Sequence, residues 1–145
     1  MAGFESNAFD ISSIKTYLYP VPTEGTFDHL IIALPMNKQF KLKPQDIREL
    51  IQPMGGCVAT DKITVHGEPI DYMVREEPLN DIDSGWQFFS GTETQEYIDD
   101  PANSMVYDVN TIANYDPAII PYLNLPSGTQ LERVRGTNRF NIVPG

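Results

Sequence analysis

One cysteine, one tryptophan and two histidines among 145 residues leave little room for several kinds of chemistry. Cys57 has no partner for an intramolecular disulfide, and one thiol with two separated imidazoles, His29 and His66, falls short of a zinc ligand set. It reads first as a small hydrophobe. Basic residues are scarce as well: 10 Lys and Arg face 20 Asp and Glu, a formal net charge of -10. Such a surface repels phosphate backbones, so nucleic acid is not expected as a direct partner. Long apolar runs are missing, Leu30 to Leu34 being far shorter than the roughly 20 residues that span a bilayer. The opening Met-Ala-Gly-Phe-Glu-Ser-Asn has neither a basic region nor an apolar signal core, which points to the cytoplasm rather than to export.

What is there suffices for a fold. An apolar share of 41% with 10% aromatics is ordinary for a globular protein and too high for a disordered chain. A chain of 145 residues can bury a core as one domain without staples. No repeat, low-complexity tract or linker divides it, so residues 1–145 are expected to form a single domain.

Up to about Thr26, Pro20, Pro22 and Gly25 break any periodicity, as in an arm or lead-in strand. Phe27 to Leu34 suits a buried strand that Pro35 ends. Pro44, followed by Ile47, Leu50 and Ile51 at helical offsets, predicts a short amphipathic helix closed by Pro53, Gly55 and Gly56. From Cys57 to Glu76 polar and apolar residues tend to alternate around His66-Gly67-Glu68, which predicts a hairpin. A strand is expected at Trp86 to Phe89, and a helix capped by Thr92 with Gln95 that stops before Pro101. Asp116-Pro117 predicts a second capped helix, with Ile119, Ile120 and Leu123 toward the core. Thr129 to Val134 and Phe140 to Val143 read as closing strands around a polar turn. The mixture predicts an α+β fold, mostly antiparallel sheet with a few short helices.

No catalytic set emerges. Cys57 and Ser84 each need a base, only His29 and His66 are imidazoles, and Ser84-Gly85 is not a hydrolase elbow. Asp81 and Asp83 match the first two ligand positions of a calcium loop, but its turn glycine falls on Trp86 and its closing glutamate on Thr92. Neither a metal nor a cofactor is therefore expected, and the chain reads as a binding protein rather than an enzyme. The candidate contact residues are Asp81, Asp83, Glu93, Glu96, Asp99 and Asp100, with Phe89 and Tyr97. Acids flank the aromatic stretch on both sides, either as solvated surface or as an anionic patch that steers a basic partner. Trp86 and Phe88 would share one strand face in the core, leaving Phe89 on the other as the interface candidate. Asn110, Asn114, Tyr115 and Asp116 read first as donors and acceptors for caps and turns. A different reading stays open: a small-ligand-binding or divalent-metal-assisted enzyme using the acidic loop next to Trp86, with Tyr72, Arg75 and Glu77 lining a cleft.

Four runs of sequence then carry a resemblance. They are Asp61-Lys62-Ile63-Thr64-Val65, Tyr72-Met73-Val74-Arg75-Glu76-Glu77-Pro78, Asp83-Ser84-Gly85-Trp86-Gln87-Phe88-Phe89-Ser90-Gly91 and Asn110-Thr111-Ile112-Ala113-Asn114-Tyr115-Asp116. In that order, over roughly residues 56 to 135, they resemble a bacterial domain-of-unknown-function family of predicted immunity proteins of polymorphic toxin systems, immunity protein type thirty-three. Residues 1–55 lie outside it, as an amino-terminal strand and helix extension expected to pack on the rest. The resemblance implies a small α+β protein whose partner is a cognate toxin domain, neutralised by occlusion. Where the family tends to read Gly-Asp-Glu after the aromatic pair, this chain has Gly91-Thr92-Glu93, one acid fewer.

Overall fold

Residues 38 to 144 are described by the computed structural model. The lead-in and strand expected before Pro35, with His29, lie outside them. The organising element is β3, Asp83–Phe89, a run of seven residues that are all buried. It lies inside a six-stranded sheet whose order is β4-β1-β3-β2-β5-β6, with β1 at Gly56–Thr60, β2 at Tyr72–Arg75, β4 at Ser104–Asp108, β5 at Gln130–Arg133 and β6 at Phe140–Ile142. Every strand pair is antiparallel except β1 with β3, which run parallel with Val58 opposite Gln87 and Ala59 opposite Phe88. The fold is α+β, as its composition of short strands and caps implied.

A strand with neighbours on both sides and cover on both faces is buried throughout, and β3 meets this with Trp86, Phe88 and Phe89 packed in apolar clusters and with Asp83, Ser84 and Gln87 buried as polar residues. One face carries Trp86 and Phe88 into the main core with Cys57, Ala59 and Met73. This face is closed by helix α1 (Asp61–Thr64) through Ile63, by α3 (Val109–Tyr115) through Val109, Ile112 and Ala113, and by a 3-10 turn at Pro117–Tyr122 through Ile119. On the other, Phe89 packs with Tyr72 and with Ile98 of helix α2 (Gln95–Asp99). Burying the aromatic and branched side chains of one such core at ~1.5–3 kcal/mol each is the main favourable term for a domain of this size.

Three local expectations are corrected. His66-Gly67-Glu68 does not turn a hairpin: β1 and β2 are not paired, and β3 lies between them. The chain leaves β1 straight into α1, and Gly67, at φ +76°, ends that helix by donating to the Ile63 carbonyl at 3.1 Å. The helix expected after Pro44 is only a 3-10 turn at Pro44–Asp46. Beyond it the amides of Arg48, Leu50 and Ile51 are taken by the side-chain oxygens of Asn114 and Asn110 at 2.8–3.2 Å, which holds the segment against α3 instead. The cap of α2 is Thr94, whose hydroxyl accepts from the Tyr97 amide at 3.1 Å, rather than Thr92. By contrast Asp116 caps the next turn, accepting from the Ala118 amide at 3.2 Å.

Candidate binding surfaces

The eight candidate contact residues do not form one patch. Asp81 precedes β3 and Asp83 opens it, whereas Phe89 is its last residue and Glu93, Glu96, Tyr97, Asp99 and Asp100 follow it, so the strand's length of about 20 Å separates the two groups. At the far end, α2 and the turn after it expose Glu96, Asp99 and Asp100. Asp100 also caps the 3-10 turn at Pro101–Asn103, accepting from the Ala102 amide at 3.0 Å, and Asp99 accepts from the Gln95 side chain at 2.8 Å. Tyr97 is half-buried beneath Lys62, whose ammonium lies 5.3 Å from its ring centre. Burial, reinforced by the carboxylates of Asp61, Glu93 and Glu68, pushes its phenol up to about 12.

Two of the acids work inside the protein. Glu93 is 5% exposed and accepts from the Ser90 amide at 2.9 Å, the Gly91 amide at 3.0 Å and the Thr60 hydroxyl. It ties the end of β3 to the end of β1. Thr92 uses its hydroxyl toward Ser90, Glu68 and the Lys62 ammonium. At the other end, buried Asp83 accepts from the Leu79 and Gly85 amides, both at 2.9 Å, and so closes the loop between β2 and β3. Neither carboxylate faces solvent. Phe89 is likewise corrected from an outward-facing anchor to a core residue, 2% exposed, because β3 is covered on both faces.

Tyr72, Arg75 and Glu77 do not line a common cleft. The Tyr72 hydroxyl donates to the Gln130 side chain at 3.0 Å, and its ring lies 5.7 Å from that of Phe89. The Arg75 guanidinium donates to the carbonyls of Ser84, Leu123 and Leu125 at 2.9–3.2 Å and lies over the Trp86 ring. Trp86 itself is fully buried, and its indole N–H donates to the Leu123 carbonyl at 3.0 Å. An open depression of ≈ 360 Å³ lies elsewhere, lined by Leu42, His66, Glu68, Asn114 and Tyr115 among others. Among the described residues no group of three or more His, Cys, Asp or Glu side chains is placed to hold a metal ion. Burial pushes the Cys57 thiol well up, the carboxylates of Asp108 and Asp83 adding to it, which leaves little thiolate for chemistry. No described helix is long and apolar enough to cross a membrane.

One feature of the surface is not acidic. In the loop between β2 and β3, Leu79 is 50% and Ile82 59% exposed, two of the four large apolar side chains so placed among the described residues. The signal for them was present as two branched apolar residues three positions apart in the run Pro78-Leu79-Asn80-Asp81-Ile82-Asp83, whose other residues apart from Pro78 are polar.

No curated protein and no solved structure shows significant similarity to the chain. A family model does match: the Immunity protein Imm33 domain covers residues 57–143, which is β1 through β6 and every helix that closes the core. With more than half of its length matched in this way, the chain belongs to the Imm33 immunity protein family.

Proposed function

We propose that this protein binds a cognate bacterial toxin domain of a polymorphic toxin system and neutralises it by stoichiometric occlusion in the cytoplasm, making and breaking no bond itself. The observation that carries this reading is membership of the immunity family over residues 57–143. The charge balance supports it, since a chain at -10 attracts a basic protein partner and repels nucleic acid. The burial of Glu93, Asp83, Cys57 and Trp86 supports it too, because the side chains best suited to chemistry are engaged in holding the sheet together.

Co-expression with the toxin domain encoded upstream of this chain's gene tests the proposal. Growth is rescued and a complex of fixed stoichiometry is recovered if occlusion is the mechanism. Protection must then rise with dose and saturate at equimolar protein. Full protection at a small fraction of the toxin's concentration would point to turnover and overturn the non-enzymatic reading.

A further inference from the structure

Leu79 and Ile82 lie on a loop that the fold holds still. The Asp83 carboxylate binds the Leu79 amide at 2.9 Å, the Asn80 side chain accepts from the Ile82 amide at 3.1 Å, and the Ile82 carbonyl accepts from the Gly56 amide at 2.6 Å. At the loop's base the Glu76 amide donates to the Gly85 carbonyl at 2.9 Å. A pair of branched side chains kept in water on a stiff turn gains nothing for the fold. The same stiffness means that little conformational freedom is lost when another surface covers them.

The same stretch of chain carries the exposed residues Glu77 and Asp81, and exposed Glu76, whose carboxylate accepts from the Gln87 side chain at 3.2 Å. None of the three takes part in an ion pair among the described residues. Apolar anchors inside a charged rim are the anatomy of a protein interface. Among the described residues, the α2 end of the sheet, with Glu96, Asp99 and Asp100, shows charge but no exposed large apolar side chain.

Resting on the reading of this chain as a toxin-neutralising protein, we infer that the β2–β3 loop is the docking element: Leu79 and Ile82 enter an apolar socket on the toxin domain, and Glu77 and Asp81 pair with lysines or arginines at its rim. Charge complementarity selects that occupant, since an apolar socket with a basic border is what an acidic-rimmed anchor fits.

The test uses the full chain and the upstream-encoded toxin domain, with binding measured by titration calorimetry and protection by growth. The Leu79→Ser/Ile82→Ser double variant is expected to keep its fold, read from Trp86 fluorescence, while losing about 100-fold in affinity and failing to protect. Asp81→Lys with Glu77→Lys is expected to slow association about tenfold and to flatten its salt dependence. Glu96→Lys with Asp99→Lys serves as the comparison and is expected to bind within about threefold of the unaltered protein. If the unaltered chain binds and protects and the loop variants do so equally well, the loop assignment falls and the function stands. Loss of binding in the α2 variant alone also overturns it. So does light scattering that shows the protein to be a dimer which the serine variant dissociates, because the loop then serves self-association. If the unaltered chain neither binds nor protects, the functional reading fails and takes the loop with it.

Discussion

Removing the Glu93 carboxylate separates its interior role from the contact role that its charge suggested. Glu93→Ala leaves the Ser90 and Gly91 amides and the Thr60 hydroxyl without their acceptor in a site 5% exposed. A buried donor left unpaired costs about 1–3 kcal/mol. Water entering the space vacated by the side chain restores part of that, so the expected loss is about 3 kcal/mol. With an m-value near 1.5 kcal/mol/M in urea, the unfolding midpoint falls by about 2 M. Trp86, the one tryptophan of the chain and fully buried, reports the transition by its fluorescence. Asp99→Ala, at an exposed helix position, is the control and is expected to change stability by less than about 0.5 kcal/mol. At concentrations of urea where both are folded, the two variants should bind a toxin domain alike. An E93A midpoint within about 0.5 M of the parent would refute the reasoning, and so would a loss of affinity without a loss of stability.

Other perturbations follow from the same contacts. Gly85 holds φ +90°, and a Cβ there would lie 2.0 Å from the Glu76 carbonyl oxygen, so Gly85→Ala is expected to lower the melting temperature by more than about 10 °C; a drop below about 3 °C in a calorimetric scan would count against this. Trp86→Phe removes the indole donor from the Leu123 carbonyl, which keeps its bond from Arg75 at 3.2 Å, so a cost of about 1.5–3 kcal/mol is expected from urea unfolding followed by circular dichroism. The tyrosines set the alkaline limit. Burial pushes the phenols of Tyr72 and Tyr97 up to about 12 and raises those of Tyr107 and Tyr115 as well, so the fold favours the neutral form while the unfolded chain ionises near 10. Their contribution to stability is therefore complete below about pH 10 and is lost as pH climbs toward about 12, and urea midpoints that stay level across that window would contradict it.

What could be read from the chain was set by how local the deciding interaction is. The strands around Trp86, Leu131 and Phe140 and the turn capped by Asp116 were legible because alternation and an Asp-Pro cap act within a few residues. The segment after Pro44 misled because its periodicity is outweighed from 59 to 66 residues away: Asn110 and Asn114 take its amides, and a helix would have needed those amides for itself. The hairpin at His66 failed for a similar reason, since β1 finds a better-matched neighbour in the wholly buried β3 than in β2. Phe89 was misplaced on the assumption that an antiparallel sheet leaves one face wet, which Tyr72 and Ile98 prevent here. The acids were the hardest to read. Glu93 and Asp83 are the same residue types as their exposed neighbours Glu96 and Asp81, and only the amide donors that converge on them in space distinguish a tie from a surface charge.

That distinction bears on how such a protein can change partner without losing its fold. Asp83, Gly85, Asn80 and the Gly56 amide fix the path of the β2–β3 loop through its backbone, and each of these bonds is indifferent to the side chains at Leu79, Asp81 and Ile82. Substitution at the latter three positions therefore alters shape and charge at the surface while leaving the carboxylate clamp beneath intact, and surface changes of this kind cost stability little, within about 0.5 kcal/mol. Substitution at Asp83 or Gly85 does the reverse, loosening the loop that presents the anchors. Affinity should accordingly respond to the outer positions through lost contact and to the inner ones through lost preorganisation. The two are separable in binding measurements, because only the inner changes lower the unfolding midpoint together with the affinity.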